Sequence, residues 1–151
     1  MIRSKNIHRI LRKSHSTLDK PLAGIRVLEC GHIVGGPFAG TILSYFGAQV
    51  IKIEPPGRGD QVRDYRLIHG ETKTSYWWYS IGRNKHSISI DLKTSAGRGL
   101  LKDLATGADV LIENFKPGRM EAWGLGPLDL PPHLVYSRIS GYGQSGPYSG
   151  K

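Results

Sequence analysis

Two short stretches carry residues able to do chemistry at a site. The first is Cys30-Gly31-His32, continued by Gly35, Gly36 and Gly40. The glycines let the backbone turn tightly there, Cys30 offers a thiol, and His32 offers an imidazole at the end of an apolar run. The second is Glu54, which closes the run Gln49 to Ile53, where a dinucleotide-binding fold places its ribose-binding acid. The glycine pattern is not G-x-G-x-x-G, and Pro55 and Pro56 directly follow the acid. A nucleotide such as NAD is therefore one expectation for residues 25–113, resting on Glu54. For Cys30 the favoured reading is a small buried hydrophobe at a strand end, not a nucleophile. His32 and His86 both lie beside predicted strand ends, where a structural role competes with a ligand contact. The histidines, at 8, 15, 32, 69, 86 and 133, show no metal-ligand spacing with cysteine or acid. No G-x-S-x-G occurs, so no metal and no serine nucleophile is expected.

These residues need elements to position them. Ile25, Val27 and Leu28 predict a buried strand, Pro37 suits a first helical turn, and Gly47 ends that helix. Phe38, Ile42, Leu43 and Phe46 share one helical face, which predicts that this face packs on the core. Gln49 to Ile53 predicts a second strand, parallel to the first through a right-handed crossover. Pro55 to Arg63 is a loop. Tyr65 to Ile81 is a long connection in which Tyr76, Trp77, Trp78 and Tyr79 cannot all face one core surface. Either some of them cover a ligand, a later part of the chain or a partner, or two of them pack in the core in the ordinary way.

Ser87 to Asp91 predicts a third strand, and Thr94 or Ser95 caps a helix with Leu100, Leu101 and Leu104 inward. Gly97 and Gly99 weaken that helix by roughly 1 kcal/mol each. Asp109 to Glu113 is a fourth strand, Asn114 to Gly118 a turn, and Pro117 starts a short helix carrying Met120 and Trp123. Leu134 to Ile139 is a fifth strand, and Gly141 to Lys151 is glycine-rich. Alternating strands and helices mean an α/β parallel sheet. The turns Gly31–Gly36, Pro55–Asp60 and Asn114–Gly118 all follow strands and should line one edge, the ligand-binding edge of an open sheet.

At 151 residues, with a hydrophobic fraction of 38%, the chain allows one domain with a modest core. A lone cysteine excludes an internal disulfide and fits a reducing compartment. No run of residues approaches a membrane span. The net charge of +9 is unevenly spread: Arg3, Lys5, Arg9, Arg12, Lys13 and Lys20 face only Asp19 in residues 1–24. The remainder is mildly basic, which suits a small anionic ligand better than a nucleic acid. Residues 1–20 read as a basic leader. Ile2, Ile7, Ile10 and Leu11 can share a helical face opposite the arginines, the pattern of a mitochondrial transit segment; a basic tail is the alternative.

The succession PLAGIRVLECGHIVGGPFAGTILSYFGAQVIKIEPPGRGD, NKHSISIDLKT, ADVLIENFKPGRMEAWGLG and LVYSRISGYGQSGPYSG resembles class III acyl-CoA transferases over residues 21–151. The resemblance implies a Rossmann-like domain, an interlocked homodimer in the full-length family, and coenzyme A moved between carboxylic acids, here dicarboxylic ones. Coenzyme A enters as a substrate thioester, and no other cofactor is implied.

Carried over by motif, His32, Ile33, Val34 and Gly35 reach toward the thioester end. Pro55 stands where some members have an arginine over the adenine, and Ile90, Asp91, Leu92 and Lys93 border the nucleotide, with Lys93 toward a phosphate. Asn114, Phe115 and Lys116 form a further coenzyme-contacting turn. Val34 replaces a glutamine of several relatives, and Ala122 a basic residue of some. The family nucleophile is an aspartate lying beyond the GYGQSGP motif. Asp60, Asp64, Asp91, Asp103, Asp109 and Asp129 match no such position, so the chain reads as the amino-terminal part of a transferase, inactive alone. The α-methylacyl-CoA racemases are the nearest alternative, and residues 64–83 and the NFKPG turn look more like the transferases. A non-catalytic fragment that pairs through its aromatic stretch is a further alternative.

Overall fold

A computed structural model describes residues 20–151. Residues 1–19, and with them nearly all of the basic leader, lie outside the described residues. The chain runs β1 (Arg26–Glu29), α1 (Gly35–Tyr45), β2 (Gln49–Glu54), a 3-10 turn (Gln61–Asp64), α2 (Tyr76–Ile81), β3 (Lys85–Ser89), α3 (Ser95–Ala105), β4 (Val110–Glu113), α4 (Arg119–Ala122) and β5 (Val135–Arg138). The strands form one sheet in the order β3-β2-β1-β4-β5, and every neighbouring pair is parallel. The α/β parallel architecture is as the alternation of elements predicts.

The register follows the pleat. Val27 pairs with Val50 and Val110, while Leu28 pairs with Ile51 and Leu111. Because side chains alternate across a strand, Val27, Val50 and Ile112 pack with Ala39 and Leu43 of α1 on one face of the sheet. Leu28, Ile51 and Leu111 pack with Leu101 and Leu104 of α3 and with Met120 of α4 on the other. Thr94 caps α3, its Oγ1 accepting the Gly97 amide at 3.0 Å.

Three local expectations are corrected. The first concerns α1. Its inward face is Gly36, Pro37, Gly40, Thr41 and Ser44, while Phe38 is 53% and Phe46 51% exposed. Small residues let the helix approach the sheet closely, and most of the apolar stripe is left facing outward, with only Leu43 packed against the core. The second concerns β3, which spans Lys85–Ser89 and ends two residues before the predicted Asp91. It is an edge strand with a largely exposed side-chain pattern, so burial could not mark its bounds. The third concerns Gly97, which is required where it stands: a Cβ there would lie 2.0 Å from the Asp91 carbonyl oxygen.

Candidate functional site

The sheet order places β1 and β4 side by side with their following connections leaving in opposite directions. A crevice opens at such a reversal, outside the carboxyl ends of the strands. Here it is a cleft of about 670 Å³, fed by the turns after β1, β2, β3 and β4. Of the sequence-predicted site residues, His32, Pro55, Ile90, Asp91, Leu92, Lys93, Asn114, Phe115 and Lys116 all line it. Val34 and Gly35 do not. Val34 points into a neighbouring apolar groove with Phe38, Tyr76, Trp77, Ser80 and Ile81, and Gly35 opens α1 beside Asn114 and Ile139. The three predicted turns do meet at one edge.

The cleft walls are apolar, from Ile53, Ile90, Leu92 and a chain of rings. His32 meets Phe115 edge to face at 5.2 Å, and Phe115 meets Trp123 in the same way at 5.3 Å. Cations stand at the exposed mouth. Arg58 is paired with Asp64 at 2.9 Å, while Lys93 and Lys116 have no carboxylate partner among the described residues. An apolar cleft with a basic rim suits an anionic ligand that also carries a flat or apolar part.

The turn after β1 is held from below by buried charge. Glu29, Lys52 and Asp60 are fully buried, as is nearly all of the Lys85 side chain. Lys52 Nζ lies 2.8 Å from Glu29 Oε1 and 2.6 Å from Asp60 Oδ2, and it donates to the Gly31 carbonyl at 2.9 Å. Lys85 Nζ lies 2.7 Å from Glu29 Oε2 and donates to the Pro37 carbonyl at 2.6 Å. Two ammonium groups and two carboxylates compensate each other, which is how charge survives in a core. Burial works against the Lys52 ammonium, but Glu29 and Asp60 outweigh it and raise its pKa. At Asp60 burial is likewise outweighed, by Lys52 and by backbone N–H donors, so its pKa is lowered. For Lys85 burial wins over Glu29 and the pKa falls. Burial also lowers the pKa of His32, and Asp60 only partly offsets this. At 3.9 Å from Asp60 Oδ2, the His32 Nδ1 lies beyond hydrogen-bond range.

Asn114 joins the two central turns. Its Oδ1 accepts the His32 amide at 2.7 Å, and its Nδ2 donates to the His32 carbonyl at 2.9 Å. Ile33 follows with φ 64°, a left-handed conformation that a β-branched residue rarely adopts. Its N–H donates to Asp60 Oδ1 at 3.0 Å.

Glu54 lines the cleft, but its carboxylate is already engaged. Both oxygens take Arg63, at 2.7 Å each; Oε2 also accepts the Asp60 amide at 2.8 Å, and Oε1 accepts the Ser87 hydroxyl. Burial alone would raise its pKa, yet these donors, Arg63 foremost, lower it to about 2. A ribose would have to displace a bidentate arginine, so the NAD expectation loses its one supporting residue. Cys30 is buried and its thiol is pushed far up in pKa by that burial, which bears out the structural reading. His86 is exposed on β3 and takes no part in the cleft.

Sequence reasoning missed the Glu29–Lys52–Asp60–Lys85 cluster. The available signal was a lysine inside Val50-Ile51-Lys52-Ile53, since central strands of a parallel sheet are buried on both faces. It also missed Arg58, Gly59, Gln61 and Trp123 as lining residues. Among the described residues, no helix is long and apolar enough to cross a membrane, and no group of three or more His, Cys, Asp or Glu could hold a metal ion.

The family model described as CoA-transferase family III matches residues 22–151. Succinyl-CoA--D-citramalate CoA-transferase of Chloroflexus aurantiacus is 47% identical over 135 residues, which cover 87% of this chain and 33% of that protein. Succinyl-CoA:glutarate CoA-transferase of Homo sapiens is 42% identical over 133 residues, covering 86% and 30%. The crystal structure of a CAIB/BAIF family protein from Brucella suis aligns with a TM-score of 0.80 at 35% identity, covering 89% of this chain and 37% of that one. The chain thus spans about a third of the length of these relatives. With the matched segment reaching from just before β1 to the last residue, the chain belongs to CoA-transferase family III.

Proposed function

We propose that this chain is the coenzyme-binding amino-terminal part of an enzyme that moves coenzyme A between carboxylic acids, dicarboxylic ones in particular. One observation carries the reading: a single cleft at the strand-order reversal, apolar inside and basic at its mouth, gathers His32, Pro55, Ile90–Lys93 and Asn114–Lys116 from four separate turns. In this reading Pro55, Ile90 and Leu92 pack against the adenine and Asp91 borders the nucleotide. Lys93 and Lys116 meet phosphates by charge-assisted contacts. The pantetheine arm passes Phe115 and Asn114 toward His32, and the thioester reaches the Val34–Gly35 start of α1. The names of the relatives, which act with succinyl-CoA on citramalate and glutarate, support the class of acid.

The exchange needs an enzyme carboxylate that attacks the donor thioester, forming a mixed anhydride and releasing the CoA thiolate; the thiolate then returns to the enzyme carbonyl, frees the donor acid and leaves CoA on the enzyme for the acceptor acid. The aspartates here are poorly placed for that role. Asp60 is ion-paired in the core, Asp64 is paired with Arg58, and Asp91 holds the Lys93 amide. Asp109 takes the Arg26 amide, Asp129 the Gly126 amide, and Asp103 lies exposed on α3. The nucleophile in this reading comes from a part of the protein outside this chain, which alone is inactive. The full-length protein is a homodimer, and residues 1–20 direct it to mitochondria.

The test incubates the full-length protein with succinyl-CoA and a panel of mono- and dicarboxylic acids. New acyl-CoA products with release of succinate are expected. Epimerisation of a 2-methylacyl-CoA without any transfer would replace this reading by a racemase.

A further inference from the structure

We infer that Asp60, backed by Lys52, is a positioning residue that clamps the turn after β1 in its working shape. The inference rests on the transfer reading for what the turn does, and on geometry alone for how the turn is held. The polar groups of two successive peptide units are each taken by a buried or half-buried side chain. In the Gly31–His32 unit, the carbonyl receives Lys52 Nζ at 2.9 Å and the N–H goes to Asn114 Oδ1 at 2.7 Å. In the His32–Ile33 unit, the carbonyl receives Asn114 Nδ2 at 2.9 Å and the N–H goes to Asp60 Oδ1 at 3.0 Å. Lys52 and Asp60 are themselves joined at 2.6 Å, so the clamp closes on either side of His32.

The clamp has something to hold. Ile33 sits at φ 64°, where a β-branched side chain crowds its own backbone, and such a residue persists only when its surroundings over-determine it. The conformation has a geometric result. His32 and Ile33 face the coenzyme cleft, whereas Val34 faces the neighbouring apolar groove and Gly35 begins α1. The backbone therefore crosses between the two hollows at the point the proposed thioester reaches. A turn fixed before the reaction presents its groups without reorganising during it. Asp60 suits the task because its other acceptor contacts also come from fixed groups, the Val62 amide at 2.9 Å and the Lys52 ammonium.

The test compares Lys52→Met/Asp60→Asn with Lys52→Met/Asp60→Ala in the full-length protein. Neither pair leaves the lysine ammonium without its carboxylate. They differ in whether residue 60 offers an oxygen to the Ile33 amide. In the alanine pair, amide hydrogen exchange at Ile33 should be at least about fivefold faster than in the asparagine pair, the scale of one net hydrogen bond. Exchange in β1 and β2 should be alike in both. The turnover number should drop about tenfold in the alanine pair while the Kd for coenzyme A moves less than about threefold, the mark of a group that serves the transition state rather than binding. Equal Ile33 exchange in the two pairs, or parallel losses of turnover and coenzyme affinity, would overturn the role. If the Lys52→Met background does not fold, Asp60→Asn against Asp60→Ala with Lys52 in place makes the same comparison. An unmodified protein that transfers coenzyme A to no acid would sink the transfer reading, and the exchange measurement would still decide the clamp.

Discussion

The same substitution, glycine to alanine, should act with opposite sign in α1 and α3. In an open helix position it stabilises by about 1 kcal/mol, because glycine gives up more backbone freedom on folding. Gly99 in α3 is such a position, since a Cβ there would meet nothing within 4 Å. Gly40 in α1 is not. Its Cβ would lie 2.1 Å from Glu29 Oε2, 3.0 Å from Glu29 Cδ and 3.4 Å from Val50 Cγ1. A carbon–oxygen contact needs about 3.3 Å, so something must move by roughly 1 Å.

The carboxylate cannot swing away freely, because Oε1 is held by Lys52 at 2.8 Å and Oε2 by Lys85 at 2.7 Å. Breaking one arm of a buried ion pair costs about 3–5 kcal/mol, whereas lifting the helix is an overpacking cost of about 1–3 kcal/mol. The helix yields first. After the gain in propensity, Gly40→Ala should destabilise by up to about 2 kcal/mol and Gly99→Ala should stabilise by about 1 kcal/mol. Urea denaturation reads both as shifts of midpoint at constant slope. A Gly40→Ala midpoint at or above that of the wild type would refute the close approach of α1 to Glu29. So would a penalty unchanged in a Glu29→Ala background, where the obstructing carboxylate is gone.

Two further predictions concern the cleft. The folded pKa of Glu54, about 2, lies below its ordinary value of 4.5. Its contribution to stability is therefore complete above about pH 4.5 and is lost as pH falls toward 2. That contribution is at most about 2 kcal/mol once solvent around the half-exposed Arg63 is allowed for. Stability curves of wild type and Glu54→Gln should converge over that range, and parallel curves would refute the assignment. Lys93→Ala should weaken coenzyme A binding by about 1–2 kcal/mol. The loss should be much smaller for dephospho-CoA if the contact is to the 3′-phosphate, and equal losses measured by calorimetry would place the lysine elsewhere.

The elements that carry a strong local pattern were legible in the sequence. Val27-Leu28 and Val50-Ile51 could be read as buried strands, Thr94 or Ser95 as a cap, and Gly31–Gly36 with Asn114–Gly118 as turns that meet. The α1 face was not, because periodicity reports where apolar side chains fall and not which side faces the sheet. There the demand for close approach, set by Gly40 against Glu29, overrode the pull of Phe38 and Phe46 toward the core. The cleft-lining residues after β3 and β4 were legible through their motifs. The charge cluster was not, since Glu29, Lys52, Asp60 and Lys85 become neighbours only when three parallel strands and the loop after β2 close together. Glu54 illustrates the limit from the other side. Its position after β2 was read correctly, but the partner that occupies it, Arg63, comes from a loop without regular pattern.

The strand order has a consequence for how the chain is made. β1 lies at the centre of the sheet, yet Val110, its second partner, stands 83 residues further along than Val27. At about 5–20 residues per second, the ribosome delivers β4 roughly 4–17 s after β1. Until Ser95–Ala105 emerges late in that interval the Leu28 and Ile51 face has no α3 to cover it, and until β4 emerges one side of β1 offers unpaired peptide groups to whatever strand comes near. The period in which the nascent segment is unprotected is thus set by the order of strands in the sheet, not by the strength of any contact within it.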